Sequence, residues 1–300
     1  MEPVTFTIGV VGLVGTFTAC VDCFEHFRIG QHFGKDYETC VVKLDLVRLR
    51  LTRWGASVGI SRVDEDVAIA QLRSRLHAPE ETFSTVMGVL VKILKHFERT
   101  AEISNRWKIR LQRNHTLQNE QYGFHDKSLE SLHGKIKQLV VRRQKASTPK
   151  QETQWTIYRK QEFTKLIEVL TDFVTALVDL VPAAEQTHMQ MCDAELSEIG
   201  NDQSLVILDK ILPEPVADDN EGEDSGSDDG GNDELLVDRI FRKKVVDLID
   251  ERRGTMPKTE WLRNITGDGS TICPGMQGAS HYTPECIRPY PGEIVSPGWI

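Results

Sequence analysis

Residues 1–28 of the chain read MEPVTFTIGVVGLVGTFTACVDCFEHFR. From Pro3 to Val21 no residue carries a charge, and this run of 19 residues is close to the ~20 apolar residues that a membrane-spanning helix needs. Small residues recur in it at Gly9, Gly12 and Gly15, a spacing that lets helix backbones approach closely in a membrane or in a tightly packed soluble bundle. The stretch therefore predicts either a core helix or a membrane helix.

Composition favours a soluble, core-forming chain in a reducing compartment. Of the 300 residues, 39% are hydrophobic and 27% are charged, which is ordinary for a globular protein. The start Met1-Glu2-Pro3 lacks the basic residues that open a secretory signal, and no second apolar run of spanning length follows. Six cysteines are too few for a disulfide scaffold. We expect a cytoplasmic protein, with a signal anchor as the alternative interpretation of the N-terminus.

Helical periodicity dominates residues 1–212. Apolar residues recur every three or four positions after Asp36, Pro79 and Asp126, and again in a helix expected to start at Thr148-Pro149. No stretch before residue 212 alternates with the period of a strand. The prediction is an all-α bundle of about six to eight helices, the first running from about residue 5 to residue 27. Its expected core includes Tyr37, Leu44, Leu51, Trp54, Leu90, Leu94, Phe97, Trp155, Leu170 and Phe173.

Three further segments follow the predicted bundle. Residues 213–232 are acidic and rich in Gly, Ser and Asp, which is typical of a disordered linker. Residues 233–254 predict one amphipathic helix ending at Gly254, which either docks back on the bundle or lies on a membrane surface. Residues 255–300 hold six of the twelve prolines and show no period, so we expect a disordered, Pro/Gly-containing tail.

No enzymatic motif is present in the sequence. The glycines at 9, 12 and 15 do not have the spacing of a dinucleotide fingerprint, and no Walker, HExxH, GxSxG or kinase signature occurs. Cys20, Cys23 and His26, with Cys40, could bind zinc by their spacing. Cysteines beside Phe24 are, however, more typical of small buried apolar groups. We expect no enzyme activity, no cofactor and no metal.

Residues 92–165 are strongly basic, with 17 basic and seven acidic side chains. Such a face could contact nucleic acid or anionic lipid. Residues 166–209 hold nine acidic side chains, so the alternative is pairing within the chain or simple solvation. We expect the second, and no nucleic-acid partner.

Several short runs carry a family resemblance. They are Cys20-Val21-Asp22-Cys23-Phe24-Glu25, then Ile29-Gly30 and Phe33-Gly34-Lys35-Asp36-Tyr37-Glu38, then Leu44-Asp45, and Leu51 with Arg53-Trp54-Gly55. Weaker matches continue through Phe97-Glu98, Arg142-Arg143-Gln144-Lys145 and Ser204-Leu205 to about residue 212. Together they resemble the fungal HeLo domain, the N-terminal domain of the prion-inhibition and propagation family. The resemblance implies an all-α bundle with at most a small hairpin, in a cytosolic fungal protein that tends to self-associate.

The resemblance also implies a function in regulated cell death such as heterokaryon incompatibility. In this family the apolar N-terminal helix leaves the bundle, inserts into the membrane and permeabilises it. Carried over to this sequence, the membrane-inserting residues are Val4, Phe6, Ile8, Gly9, Val10, Val11, Gly12, Leu13, Val14, Gly15, Phe17, Ala19, Val21 and Phe24. The implied hinge is Ile29, Gly30, Gln31, His32, Phe33 and Gly34.

In the family, release is triggered by a C-terminal amyloid-forming segment that an NLR-type receptor or a HeLo family partner templates. Residues 255–300 contain no pair of related stretches, and their prolines disfavour a cross-β core. The expectation is therefore a cytoplasmic effector that reaches membrane lipid on activation by an unassigned trigger. The alternative is a non-lytic helical adaptor or inhibitory module whose N-terminal helix stays in the core.

Overall fold

The computed structural model describes residues 12–25, 27–29, 36–61, 63–75, 79–113, 124–144, 155–183, 185–212 and 239–266. Its helices are α1 (Leu13–Cys23), α2 (Asp36–Val58), α3 (Glu65–Ser74), α4 (Pro79–Arg113), α5 (Lys127–Arg143), α6 (Lys160–Leu180), α7 (Glu185–Ile199), α8 (Asp202–Ile211), α9 (Arg239–Thr255) and α10 (Lys258–Thr266). Two short strands are β1 (Phe27–Ile29) and β2 (Trp155–Ile157). The all-α prediction is confirmed.

The bundle is built around α2 and α6, which pack against each other. Helix α5 lies on α2, α4 lies on α6, and α1 lies on α4. The core between them contains eight of the residues expected there, namely Tyr37, Leu44, Leu51, Trp54, Leu90, Leu94, Phe97 and Leu170. Phe173 is only half-buried and packs against this core from its edge. The side chain of Trp155 lies outside the described residues.

Local capping explains where several helices begin. At α5, the carboxylate of Asp126 accepts hydrogen bonds from the backbone N–H of Ser128 (2.7 Å) and Leu129 (3.3 Å). At α8, the amide oxygen of Asn201 accepts one from the N–H of Ser204 (2.8 Å). These bonds satisfy N–H groups that the first helical turn leaves without partners.

The prediction of one helix across residues 148–181 is wrong at its start. Trp155–Ile157 form β2, which pairs in parallel with β1 so that Phe27 faces Trp155 and Ile29 faces Ile157. Helix α6 begins only at Lys160. The run Trp155-Thr156-Ile157-Tyr158 is aromatic and β-branched, which suits a strand, and its backbone partner comes from a distant part of the chain. Thr148 and Pro149 lie outside the described residues.

Two other boundaries also differ from expectation. The first helix was expected to reach residue 27, but α1 ends at Cys23 and Phe27 already belongs to β1. The small hairpin that the resemblance allowed is instead a parallel pair of strands far apart in sequence. Residues 1–11 lie outside the described residues, so the expected start near residue 5 stays a prediction.

The C-terminal part is more ordered than the sequence suggested. Helix α9 continues through Gly254 to Thr255, and α10 follows within the segment expected to be a disordered tail. The carbonyl of Pro257 accepts hydrogen bonds from the N–H of Glu260 (2.9 Å) and Trp261 (3.1 Å), and the Trp261 side chain is buried. This burial stabilises a helix that periodicity did not reveal. The expected linker, 213–232, and residues 267–300 lie outside the described residues.

Candidate functional site

Helix α1 lies against the bundle with one face buried and one face open. The buried face has five apolar side chains that are at most 3% exposed, namely Leu13, Phe17, Cys20, Val21 and Cys23. They pack mainly on α4, with α2 and α3 at the sides. The outward face consists of partly exposed residues, namely Val14, Gly15, Thr18 and Ala19. Helix α1 is therefore a peripheral helix of the bundle.

The first turn of α1 is capped by a carboxylate from another helix. Glu65, at the start of α3, accepts hydrogen bonds from the backbone N–H of Leu13 and of Val14, the second at 2.9 Å. A carboxylate there satisfies open N–H groups and is attracted to the positive end of the helix dipole. At Gly12 a Cβ atom would lie 2.3 Å from the carboxyl carbon of Glu65, so a larger residue there would require the Glu65 side chain to move away from this position. Loss of such a cap costs about 1 kcal/mol.

Helix α2 receives the ring of Phe17 at Gly55. A Cβ atom at position 55 would lie 2.2 Å from Cζ of Phe17, so the ring occupies the space of the missing side chain. The ring of Trp54 lies 6.2 Å from that of Phe17, and its Nε1 donates to the carbonyl of Val181 (3.2 Å). Midway along α1, Sγ of Cys20 donates to the carbonyl of Leu90 (3.2 Å). The recess at Gly55 and the hydrogen bond from Cys20 to Leu90 thus hold α1 in a defined site on the bundle, here called the seat of α1.

The C-terminal end of α1 is held by charged and aromatic contacts. Asp22 accepts a hydrogen bond from Nε2 of Gln144 (3.1 Å), and Phe24 meets Phe97 edge to face at 5.0 Å. Glu25 pairs with Arg48 and with Lys137, the latter at 2.7 Å. Burial raises the pKa of Glu25, but these two cations lower it by more, so the carboxylate stays ionised.

The residues predicted to insert into membrane divide into two groups. Gly12, Leu13, Val14, Gly15, Phe17, Ala19, Val21 and Phe24 form α1 and its two ends. Val4, Phe6, Ile8, Gly9, Val10 and Val11 lie outside the described residues. Of the predicted hinge, Ile29 ends β1, whereas Gly30, Gln31, His32, Phe33 and Gly34 lie outside the described residues. Among the helices of the described ranges, none is both long and apolar enough to cross a bilayer.

A buried ion cluster ties α2, α5 and α7 together. Nε of Arg53 donates to both carboxylate oxygens of Glu195 (3.0 and 3.1 Å), and Arg143 also binds this fully buried carboxylate. Another nitrogen of Arg53 lies 3.4 Å from Nε2 of His188. Removing one partner from such a cluster costs about 3–5 kcal/mol, because a buried charge is left uncompensated. The cluster therefore fixes how these helices meet.

Helices α9 and α10 close over α7 and α8. Phe241 lies under the guanidinium of Arg53 at 4.8 Å and is buried, as are Val245 and Ile249. Arg242 binds Asp209 (2.8 Å), and Asp202 accepts from both Arg252 (2.5 Å) and Asn264 of α10 (2.8 Å). Of the two placements that the sequence left open, α9 therefore takes the one against the bundle.

Two cysteine thiols, those of Cys20 and Cys23, are part of the packing of α1. Cys20 and Cys23 are buried, and burial raises the pKa of the Cys20 thiol well above its usual value. Cys40 is half-buried, and His26 lies outside the described residues. Among the residues that the structure describes, no three metal-ligating side chains converge on one point. The thiols contribute to the apolar seat of α1.

Comparison with known proteins identifies a domain over nearly the same residues as the predicted bundle, 1–212. A family model described as HeLo, prion-inhibition and propagation, matches residues 6–208. The chain belongs to the HeLo family. Its HeLo domain thus spans α1 to α8, in agreement with the resemblance found in the sequence.

Curated relatives and a solved structure agree with this assignment. Heterokaryon incompatibility protein S of Podospora anserina is 31% identical over 212 residues, covering 69% of this chain and 68% of the relative. Heterokaryon incompatibility protein s of the same species is 30% identical over 214 residues, with coverage of 69% and 68%. The solved HET-s N-terminal domain superposes with a TM-score of 0.62 at 26% identity, covering 81% of this chain and all of that domain.

The important contacts of the seat were not among the residues singled out from the sequence. Glu65 lies about 50 positions after the residues that it caps. It binds the backbone N–H groups of Leu13 and Val14, and backbone groups carry no sequence signal for their partner. Gly55 was noticed solely within the family motif, without its role as a recess for Phe17. The sequence offered one signal for this recess: Gly55, a poor helix former, follows Trp54 within an otherwise strongly helical run.

Proposed function

We propose that this protein is a cell-death effector of the heterokaryon-incompatibility type, in which α1 and the uncharged run before it leave the bundle and permeabilise a membrane. The single observation that carries the proposal is the seat of α1. The run from Pro3 to Val21 ends in a peripheral helix whose apolar face is buried, while its other face is already partly open. Family membership and the names of its relatives support the same function.

The energies of release are compatible with a switch. Burial of Leu13, Phe17 and Val21 contributes roughly 4.5–9 kcal/mol, at ~1.5–3 kcal/mol for each large apolar side chain. This cost opposes release into water, so the helix stays seated at rest. A bilayer offers an equally apolar environment, so insertion recovers most of the cost. Glu65 adds about 1 kcal/mol to the resting state through its cap.

A dye-release assay on liposomes tests the proposal. Glu65→Ala removes the cap and should raise the population of released α1, and the leakage rate, by about fivefold. Gly15→Arg lies on the partly exposed face and should fold, but it places a charge within the inserting run. Such a charge costs ~2.5–3.5 kcal/mol at mid-bilayer. The double variant, Glu65→Ala with Gly15→Arg, should therefore leak on the order of 100-fold less than Glu65→Ala alone. Glu130→Ala, at an exposed position of α5, is the matched control.

Equal leakage with and without Gly15→Arg would assign permeabilisation to another segment and end the proposal. Absence of leakage from every variant, with α1 protected from protease throughout, would favour the non-lytic adaptor or inhibitory module. The full chain should be assayed at several protein concentrations. Leakage that rises more steeply than linearly would support self-association, whereas a trigger from an NLR-type receptor or another HeLo protein would require that partner in the assay.

A further inference from the structure

Helix α4 carries a row of cations on the side that faces away from the core. The row, here called the basic stripe, consists of Lys92, Lys95, Arg99, Arg106 and Arg110, all exposed. At a rise of 1.5 Å per residue it extends over about 27 Å. The acid that interrupts it is Glu102, which lies 4.0 Å from Arg106. The basic stripe is thus a long surface of one charge sign.

Acids of residues 166–209 pair with part of the basic region 92–165, as expected, but the cations that they bind there, Arg142, Arg143 and Lys165, lie outside the basic stripe. Asp193 pairs with Lys244, Glu198 with Arg142, and Asp209 with Arg242. Glu195 is taken by Arg53 and Arg143. Within the part of the chain that the structure describes, Lys92, Lys95 and Arg99 are exposed and form no ion pair. The basic stripe therefore presents positive charge that the rest of the described structure leaves unbalanced.

Aromatic and apolar groups lie at one end of the stripe. Arg110 of α4 and Arg159, next to β2, both stack on the ring of Trp107, at 5.2 and 4.7 Å. Ile109 beside them is 38% exposed, so an aliphatic side chain also lies at this end of the stripe. Tryptophan with arginine and an exposed aliphatic residue is the composition that lies at the headgroup level of membranes.

We propose that the basic stripe docks the resting protein on an anionic membrane surface by binding lipid phosphate and carboxylate headgroups. This proposal identifies the surface through which the bundle meets lipid, and it rests on the membrane target of the proposed function. The stripe is a straight, convex row that matches a flat anionic surface along its length. Nucleic acid is less suited, because a convex row offers no groove in which bases stack.

The docked orientation has a consequence for α1. Helix α1 contacts α4 through Leu90 and Phe97, which lie on the side of α4 opposite the basic stripe. Docking therefore keeps α1 about one helix diameter, ~10 Å, behind the surface. The protein is concentrated at the membrane while its apolar helix stays seated.

Flotation of the full chain with vesicles tests this proposal without any release of α1. The vesicles are phosphatidylcholine alone or phosphatidylcholine with about 30% phosphatidylserine, at low salt. We expect binding only to the anionic vesicles, decreasing as salt is raised. The triple variant Lys92→Gln, Lys95→Gln and Arg99→Gln should bind on the order of 100-fold more weakly, since each cation near an anionic surface contributes about fivefold.

The matched control removes three exposed cations elsewhere, by Lys127→Gln, Lys210→Gln and Lys243→Gln. It changes the net charge equally and should bind almost as well as the wild-type chain. Equal binding by the two triple variants, or binding to neither kind of vesicle, would overturn the proposal that the basic stripe docks on lipid. Stripe-dependent binding to a single-stranded oligonucleotide without binding to vesicles would overturn it in favour of nucleic acid. Dye release reports separately on the proposed function, because leakage can persist when flotation fails.

Discussion

At the scale of single residues, Gly55 is the position where the seat of α1 is most sensitive. A methyl group there would overlap the ring of Phe17, so Gly55→Ala should push α1 outward and lower the free energy of unfolding by about 1–3 kcal/mol. Gly134→Ala in α5 is the matched control, since a Cβ there meets nothing within 4 Å. It should stabilise the protein by about 0.5–1 kcal/mol. Urea unfolding measures both, and shifts of the same sign would contradict the proposed contact.

His188 gives the protein a pH dependence of definite sign. Burial and the neighbouring Arg53 lower its pKa to about 4, below its usual value of about 6.5. The unfolded chain therefore takes up a proton first, and stability present above pH ~6.5 is lost as pH falls toward ~4. Because the ring is half-exposed, we expect a loss on the order of 1–2 kcal/mol.

The measurement is urea unfolding of the wild-type chain and of His188→Gln between pH 7 and pH 4. The difference between them should grow as pH falls, with the wild-type losing more stability. His133 acts in the opposite direction, since its hydrogen bond to Asp45 raises its pKa, and it is unchanged in both proteins. A difference that does not vary with pH would show that burial and Arg53 do not lower the pKa of His188.

Long-range contacts limit how far single residues can be interpreted from the sequence. Tyr37, Leu51 and Phe97 were predictable as core residues, because an apolar stripe at helical spacing has only one face that can be buried. The partners of charged residues were not, since Arg53 and Glu195 are separated by 142 positions. Charge counts indicated that acids and bases would pair, but not which ones. The cations of the basic stripe on α4 are those that remain exposed after this pairing.

At the scale of elements, local signals predicted where helices start better than they predicted which short segments are helices or strands. Pro79 and Asp126 start α4 and α5 as predicted, because proline and a capping carboxylate act within one turn. β2 was missed because a three-residue strand is stable only with a partner, and β1 lies 128 positions away. α10 was missed for the same reason, since the burial of Trp261 depends on α8 and α9.

Helix α9 should stabilise the domain that it covers. Phe241 is 2% exposed and stacks with Arg53, so Phe241→Ala should lower the free energy of unfolding by roughly 3 kcal/mol or more. Lys243→Ala, two positions away on the exposed side of the same helix, should change it by less than about 0.5 kcal/mol. Urea unfolding distinguishes the two. Equal effects would mean that α9 does not dock through Phe241 as described.

At the scale of the whole molecule, charge is sorted between two sides. Acids of α7 and α8 are neutralised by cations of α5 and α9, whereas the outward side of α4 remains basic. A chain with a net charge of −9 therefore still presents a positive surface, the one that we propose to meet a membrane. The segment that could insert is kept on the other side of α4. Stability and membrane attraction are thus assigned to different surfaces.

The same arrangement predicts that the bundle does not open as one unit. α1 has 11 residues with one side partly open, and α3, which caps it, buries little beyond Ala68 and Leu72. α2 and α6 are longer and lie at the centre of the core. In hydrogen exchange followed by mass spectrometry, α1 and α3 should therefore exchange at a lower opening free energy than α2 and α6.

Glu65→Ala provides the decisive comparison in that experiment. Loss of the cap, worth about 1 kcal/mol, should speed exchange in α1 by about fivefold and leave α5 unchanged. Glu130→Ala should change neither helix. If α1 instead exchanges only together with α2 and α6, its seat is as stable as the core itself. Release would then require global unfolding, and the adaptor function would be favoured over the effector, because a membrane helix that is freed only with the core cannot act as a switch.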